Sequence, residues 1–276
     1  MNAFRAQRIT VETARLLIAI VFLVPFVWLI VTSLKYPRDI ITGHWGFTPT
    51  LSNFEGVFGD EFQLRPNFAN SVIVALLTTA VTVIIAGLAA YSLSQGRWAQ
   101  RFKGAMMAWL LGVAILPPIA LVPAYYLIFT TTRFYNTKLG LILVYTLLNL
   151  PLSVWILKGH FDSVPKEFRE AAVVDGSGPF GTLWHVFRPL AGPSIASVAL
   201  LAFLFSWNEF LLALSLTSSP AAQTVPVGVA GFVQEYRVAY GPMAAAAVWA
   251  CVPAIVLAVI AQKRLVAGLT LGGVKE

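Results

Sequence analysis

The chain has 276 residues, of which 58% are hydrophobic and 11% charged, and its mean hydropathy is +0.78. A soluble domain carries about 25% charged residues to keep its surface wet, so the composition excludes a water-soluble enzyme and is that of a membrane protein. The 19 Lys and Arg against 12 Asp and Glu give a formal charge of +7, but the cations lie between apolar runs and form no basic face with interleaved aromatics, which argues for membrane topology and against nucleic acid as a partner.

A helix crossing about 30 Å of hydrocarbon needs about 20 residues. Six apolar runs of about that size follow one another, at 16–34, 72–93, 105–129, 139–157, 195–216 and 243–262. None alternates polar and apolar residues as a barrel strand does. The predicted fold is therefore all-α, a polytopic membrane protein of six transmembrane helices, and without an internal repeat or flexible linker the chain reads as one domain over 1–276. Arg5, Arg8 and Arg15 precede the first run, which is too long for a signal-peptide core and ends without an Ala-x-Ala site, so it is expected to stay as a span. Prolines fall inside four runs: Pro25; Pro117, Pro118 and Pro123; Pro151; and Pro253. Each removes a backbone hydrogen bond, and freed carbonyls at membrane depth need protein or a water-filled cavity to receive them, which makes the third run the expected wall of a pathway. Cys251, the single cysteine, reads as a small buried hydrophobe.

With the N-terminus inside, inner segments hold about 13 Lys and Arg and outer segments about six, which predicts a multi-pass protein of the cytoplasmic (inner) membrane with both termini cytoplasmic. The outer stretches 35–70 and 217–242 then face away from the cytoplasm. The inner stretch 158–193 is too long for a plain connector. Within it Ser163 is a good N-cap, Pro165 suits a first turn and Glu167 complements the dipole, so a short helix is expected from about Val164. Phe168, Ala171, Ala172 and Asp175 share one narrow face. Gly176 supplies a left-handed C′ position that ends the helix. A second short helix is expected from Phe180 to Arg188, with Pro189 leading back into the membrane. An alanine face lets another protein's backbone come close, while Glu170 and Asp175 offer ionic handles. Headgroup-bound amphipathic helices instead carry large apolar residues on one side and Lys or Arg on the other.

Glu209 is the one ionisable residue well inside a span, where charge costs at least about 2.5 to 3.5 kcal/mol, so it should face the bundle interior or water. Asn208 beside it can bond sugar hydroxyls or a neighbouring helix. Gly176-x-Gly178-x-x-Gly181 fits the dinucleotide pattern but follows a short helix rather than a strand, and no P-loop occurs, so this chain should bind neither nucleotide nor other cofactor. His44, His160 and His185 are scattered without metal-ligand spacing.

These residues resemble a family. Glu170-Ala171-Ala172, with Asp175-Gly176 and then Pro189, looks like the EAA loop in permease subunits of ATP-binding-cassette importers. Asn70-Ser71, Ala89-Ala90-Tyr91, Trp207-Asn208-Glu209-Phe210, Gly268-Leu269-Thr270 and Gly273-Val274-Lys275 resemble the carbohydrate-importer subfamily, nearest in type to its second, maltose MalG-like permease. Val173-Val174, Ser177 and Glu276 are modest departures. The resemblance implies a MetI-like six-helix domain without catalysis of its own. Its implied partners are a homologous second permease, two copies of a cytoplasmic ABC ATPase holding the ATP and Mg, an extracytoplasmic solute-binding protein, and a sugar or polyol. Glu170, Ala171, Ala172, Asp175 and Gly176 would form the helix that couples to the ATPase, and the tail 263–276, through Gly268, Gly273 and Lys275, a second contact. Trp207, Asn208, Glu209, Tyr125 and Tyr126 are candidate pathway residues, although in that family the partner permease can hold the sugar. The rival classes are a six-helix channel, which has no use for an EAA helix, and an integral membrane enzyme, which a single intramembrane ionisable residue disfavours.

Overall fold

The computed structural model describes residues 2–59, 62, 64–234 and 237–270. The elements in chain order are α1 (Asn2–Ser33), α2 (Pro37–Thr42), α3 (Ser52–Phe58), α4 (Arg65–Gln95), α5 (Gln100–Ile115), α6 (Pro118–Thr131), α7 (Lys138–Ser163), α8 (Lys166–Val174), α9 (Pro179–Leu190), α10 (Gly192–Asn208), α11 (Leu211–Leu216), α12 (Val225–Ala230), a hairpin of β1 (Val233–Gln234) and β2 (Arg237–Val238), and α13 (Tyr240–Thr270). Apart from that hairpin, which pairs Val233 with Val238 and Gln234 with Arg237, the fold is all-α.

Among the described residues four helices are long and apolar enough to cross a membrane, in α1, α4, α7 and α13, and counting each of two bent pairs, α5 with α6 and α9 with α10, as one span gives up to six. The predicted span over 105–129 is two helices, α5 and α6, bent by 95°. The reason is local: a residue before proline is driven out of the α region, and with Pro117 and Pro118 in tandem both Leu116 (ψ 126) and Pro117 (ψ 129) are extended. Pro25, Pro123, Pro151 and Pro253 interrupt nothing and lie inside continuous helices. The predicted span over 195–216 is likewise divided, into α10 and α11, at Glu209 (ψ 124) and Phe210. No proline or glycine marks that break.

The chain forms two compact units, 1–65 with 228–253 and 66–227 with 254–276. In the first, the apolar side chains of α1 between Leu16 and Ile30 are largely exposed, the surface a bilayer covers. Its end is tied down by Asn53 of α3, a buried side chain whose amide donates to the carbonyls of Ser33 and Lys35, both at 2.8 Å. These are orphan acceptors of a helix end, satisfied by a side chain. Gly241 passes so close that a β-carbon there would lie 2.5 Å from Asn53 Oδ1. Lys35 is buried, donates to His44 O at 2.8 Å and lies over the rings of Trp45 and Phe47.

In the second unit α7 is the central helix, with Leu141, Val144, Tyr145, Val154, Leu157 and Phe161 all buried. The inner face of α4 is built from small and polar residues, Ser71, Ala75, Thr78, Thr82, Ala86 and Ala90, while Leu76, Ile84 and Leu88 point outward. That inversion of the soluble-protein pattern is expected where lipid is the solvent and close backbone approach drives helix packing. At the opposite end of α4 from α8, Asn67 donates to Thr224 O (3.2 Å), Asn70 to Pro220 O (2.9 Å) and Gln223 O (3.0 Å), and Ser71 Oγ accepts from Val225 N–H (2.8 Å).

Candidate functional site

The stretch 158–193 begins differently from expectation. α7 stays helical to Ser163, and that residue, instead of capping a new helix, donates its hydroxyl to His160 O at 2.7 Å. α8 starts at Lys166 after the extended Pro165, without a side-chain cap. Its end is as predicted: Gly176 has φ +79, its N–H donates to Val173 O (3.0 Å), and Ser177 N–H donates to Ala172 O (2.9 Å). This is a Schellman turn, the two-bond closure that favours glycine at C′. Ala172 is buried, whereas Glu170, Ala171, Val174, Asp175 and Gly176 are exposed. The second helix, α9, is longer than expected and contains a π-helical turn over Leu183–Phe187. It bends into α10 at Ala191 by 82°, two residues beyond Pro189.

α8 and α9 pack on one another and are anchored to the long helices by an aromatic cluster. Tyr91 of α4 meets Phe187 at 5.2 Å and Phe161 of α7 at 6.1 Å, and those two rings meet each other at 5.7 Å, all edge to face. Edge-to-face pairs of this kind contribute about 0.5 to 1.5 kcal/mol each beyond area burial, so a displacement of α8 and α9 has a stiff path to α4 and α7.

Deeper in the same unit a cavity of about 440 Å³ opens where both broken helices meet α7. Trp109, Tyr125, Tyr145, Asn149, Ser206 and Glu209 are among its lining residues. Glu209 also holds the backbone: its carboxylate accepts from the N–H groups of Leu212 (2.8 Å) and Ala213 (3.0 Å). It thereby caps α11 at the break, where charge and helix dipole are complementary. Tyr145, almost wholly buried, lines the same cavity, and its hydroxyl has no hydrogen-bond partner among the described residues. Asn149 donates to Tyr145 O at 2.8 Å and to Ser206 Oγ at 3.4 Å. An apolar shell with few convergent polar groups, within the ~300–1,000 Å³ range of small-molecule sites, has the character of a small-molecule pocket. Among the described residues no three His, Cys, Asp or Glu side chains converge as a metal site would require.

Residues 82–270 match the family of binding-protein-dependent transport system inner membrane components. The chain belongs to this family. It is a permease, the membrane subunit of an importer and not itself an enzyme, and the resemblance read from its EAA loop and tail is borne out. Its relatives include the trehalose/maltose transport system permease protein MalG of Thermococcus litoralis, 36% identical over 98% of this chain and 97% of that one. Two others are the sulfoquinovosyl glycerol transport system permease protein SmoH of Agrobacterium fabrum, 36% identical over 92% and 89%, and the trehalose transport system permease protein SugB of Mycobacterium tuberculosis, 36% identical over 92% of each. The fold is similar to that of a bacterial ABC transporter involved in the import of the acidic polysaccharide alginate, with a TM-score of 0.77, 20% identity and coverage of 95% and 98%.

Within the permease the sequence candidates separate. Tyr125 and Glu209 line the cavity. Trp207 is buried and stacks on Phe203 at 5.6 Å, beside Ala75. Asn208 is exposed and donates to Leu204 O at 2.8 Å, and Tyr126 packs edge-on against Tyr135. Gly268 falls in the last turn of α13, while Gly273 and Lys275 lie outside the described residues. Tyr145, Asn149 and Ser206 were not singled out from sequence. Asn149 carried a usable signal, a primary amide in the middle of an apolar run; tyrosine and serine are too ordinary in membrane helices to stand out.

Proposed function

We propose that the permease passes a sugar or polyol from an extracytoplasmic solute-binding protein to the cytoplasm, side by side with a homologous second permease, and driven by two cytoplasmic ABC ATPases that carry the ATP and Mg. The observation that carries this reading is α8: a nine-residue helix closed by glycine, exposing Glu170, Ala171 and Asp175, and packed on α9, which the Tyr91, Phe161 and Phe187 rings anchor to α4 and α7. Such a helix offers an ATPase a close-fitting surface and a route for force into α4 and α7. In this reading α8, both termini and the tail through Gly268, Gly273 and Lys275 are cytoplasmic, and the tail touches the ATPase pair.

The solute class is supported by the trehalose, maltose and sulfoquinovosyl glycerol named for its relatives, all glycosides. The cavity beside Glu209 is the corresponding stretch of pathway, with Tyr125 and Glu209 reaching the solute and Trp207, Asn208 and Tyr126 shaping the helices around it. The outer segment with Pro226, Gly228 and Gln234 faces the binding protein, while Val227 beside them is buried in the core; a similar alginate transporter solved in complex with its pentasaccharide-bound periplasmic protein, with a TM-score of 0.67 at 16% identity, supports this reading.

The test is purification followed by uptake. A tagged permease should bring an ATPase with it, and proteoliposomes of the complex, supplied with binding protein and internal ATP, should accumulate at least one labelled sugar or polyol from a panel. A permease that purifies alone, as a channel or enzyme would, or ATP-independent flux, overturns the reading.

A further inference from the structure

Where α4 ends, its last turns, α8 and the start of α9 enclose an open-sided cavity of about 660 Å³. Its lining combines apolar Leu88, Val173, Phe180 and Leu183 with Tyr91 and two cations, Arg97 and Arg169, and no carboxylate is among the lining residues. Neither arginine has an ion-pair partner among the described residues, where the pairs are Arg15–Glu12, Arg38–Asp39 and Lys158–Asp162. Two cations held in one cavity without an acid favour an anion between them.

Depth in the bilayer identifies which anion. Trp98 is half exposed, lies 5.0 Å from Phe102, and donates its ring N–H to Ser92 Oγ at 3.0 Å. Trp184, also exposed, lies 4.1 Å beneath the Arg188 guanidinium. Tryptophan is enriched at the headgroup level of a membrane. Lys103 reinforces the positive field there, donating to Ser94 O at 3.0 Å at the end of α4.

We propose that this cavity binds the headgroup of an anionic phospholipid, its phosphodiester between Arg97 and Arg169 and the start of an acyl chain along Leu88, Phe180 and Leu183. A guanidinium matches phosphate as a two-toothed fork, and basic pockets between helix ends at the membrane surface are suited to such headgroups. A free phosphate would use the arginines and leave the apolar side chains wet, so the mixed lining selects the lipid. Because Arg97 follows α4 and Arg169 belongs to α8, the bound lipid bridges the two and holds α8 in place. This rests on the chain's place in a bilayer and is independent of which solute it carries.

The importer complex with its ATPases, in a neutral detergent, is titrated with phosphatidylglycerol, and lipid retained per complex is counted by native mass spectrometry. Retention should exceed that of phosphatidylcholine by at least about tenfold, which is ~1.4 kcal/mol, and millimolar inorganic phosphate should not displace it. Arg97→Gln with Arg169→Gln should abolish the preference; Arg97→Lys with Arg169→Lys should keep part of it; and Arg101→Gln, a charge change outside the cavity, should leave it intact. Equal retention of the two lipids by the parental complex overturns the proposal without recourse to any variant. Displacement by phosphate identifies a free-anion site and overturns it too, as does a loss in Arg101→Gln as large as in the double glutamine variant, which identifies diffuse surface charge.

Discussion

Replacing Gly176 tests the coupling helix at the point where the chain has least freedom to adapt. A β-carbon at Gly176 would meet nothing within 4 Å, so the penalty is not steric crowding but the left-handed backbone at φ +79. For an L-residue that costs about 1–2 kcal/mol, and a β-branched residue is the least tolerant. The alternative is to abandon the turn and lose the two closing hydrogen bonds, each contributing about 0.5–1.5 kcal/mol. With nine residues, α8 is shorter than the ~12–15 at which isolated helices become marginally stable, so it has little helical stability to spare. One or two kcal/mol shifts the ratio of closed to frayed last turn by about 5- to 30-fold. Asparagine tolerates the left-handed region, so uptake by the reconstituted importer should fall in the order Gly, Asn, Ala, Val. Membrane insertion should stay normal, and ATP hydrolysis should lose its response to loaded binding protein or the ATPase should dissociate. Adding Glu170→Ala and Asp175→Ala should weaken ATPase attachment further, by about 1–3 kcal/mol if the contact buries them and less if they stay exposed. Parental uptake by Gly176→Val combined with both alanine substitutions refutes the assignment of α8.

Gly241→Ala drives a β-carbon to 2.5 Å from Asn53 Oδ1, on a side chain already held by two carbonyls, and should destabilise the protein by about 1–3 kcal/mol; an unchanged melting temperature in detergent counts against that packing. Glu209→Leu strips the acceptors from Leu212 and Ala213 N–H and should cost about 1–3 kcal/mol for each group left unsatisfied, whereas Glu209→Gln keeps one acceptor and should fall between parent and leucine in thermal stability; equal melting of the leucine variant and the parent would show that the cap is dispensable. With Cys251 changed to alanine, single cysteines at exposed Glu55 and Ala221 should react with an impermeant maleimide on intact cells while one at Glu170 should not; the reverse pattern inverts the topology.

The sequence by itself determined the class, an all-α polytopic membrane protein, because hydrocarbon thickness and the need to satisfy every backbone polar group leave a long apolar run few alternatives. It also determined the end of α8, since only local geometry is involved: a glycine after a short helix closes it by hydrogen bonds to the turn just behind. The tandem prolines at 117 and 118 belong in the same group, although the size of the bend does not, because proline forbids a conformation without choosing the direction of the next helix. The break at Glu209 could not be read, since no residue there forbids a helix. Only the folded chain shows that its carboxylate caps the next helix while Tyr145 of α7 lines the same cavity. Long-range pairings were beyond the sequence for the same reason: Asn70 finds its acceptors at Pro220 and Gln223, and Asn53 finds Ser33 with Gly241 pressed against it, through packing of segments that are distant in sequence. Lipid-facing helices carry apolar residues on nearly every side, so periodicity does not reveal which face turns inward, and the shape of the cavity follows from that choice.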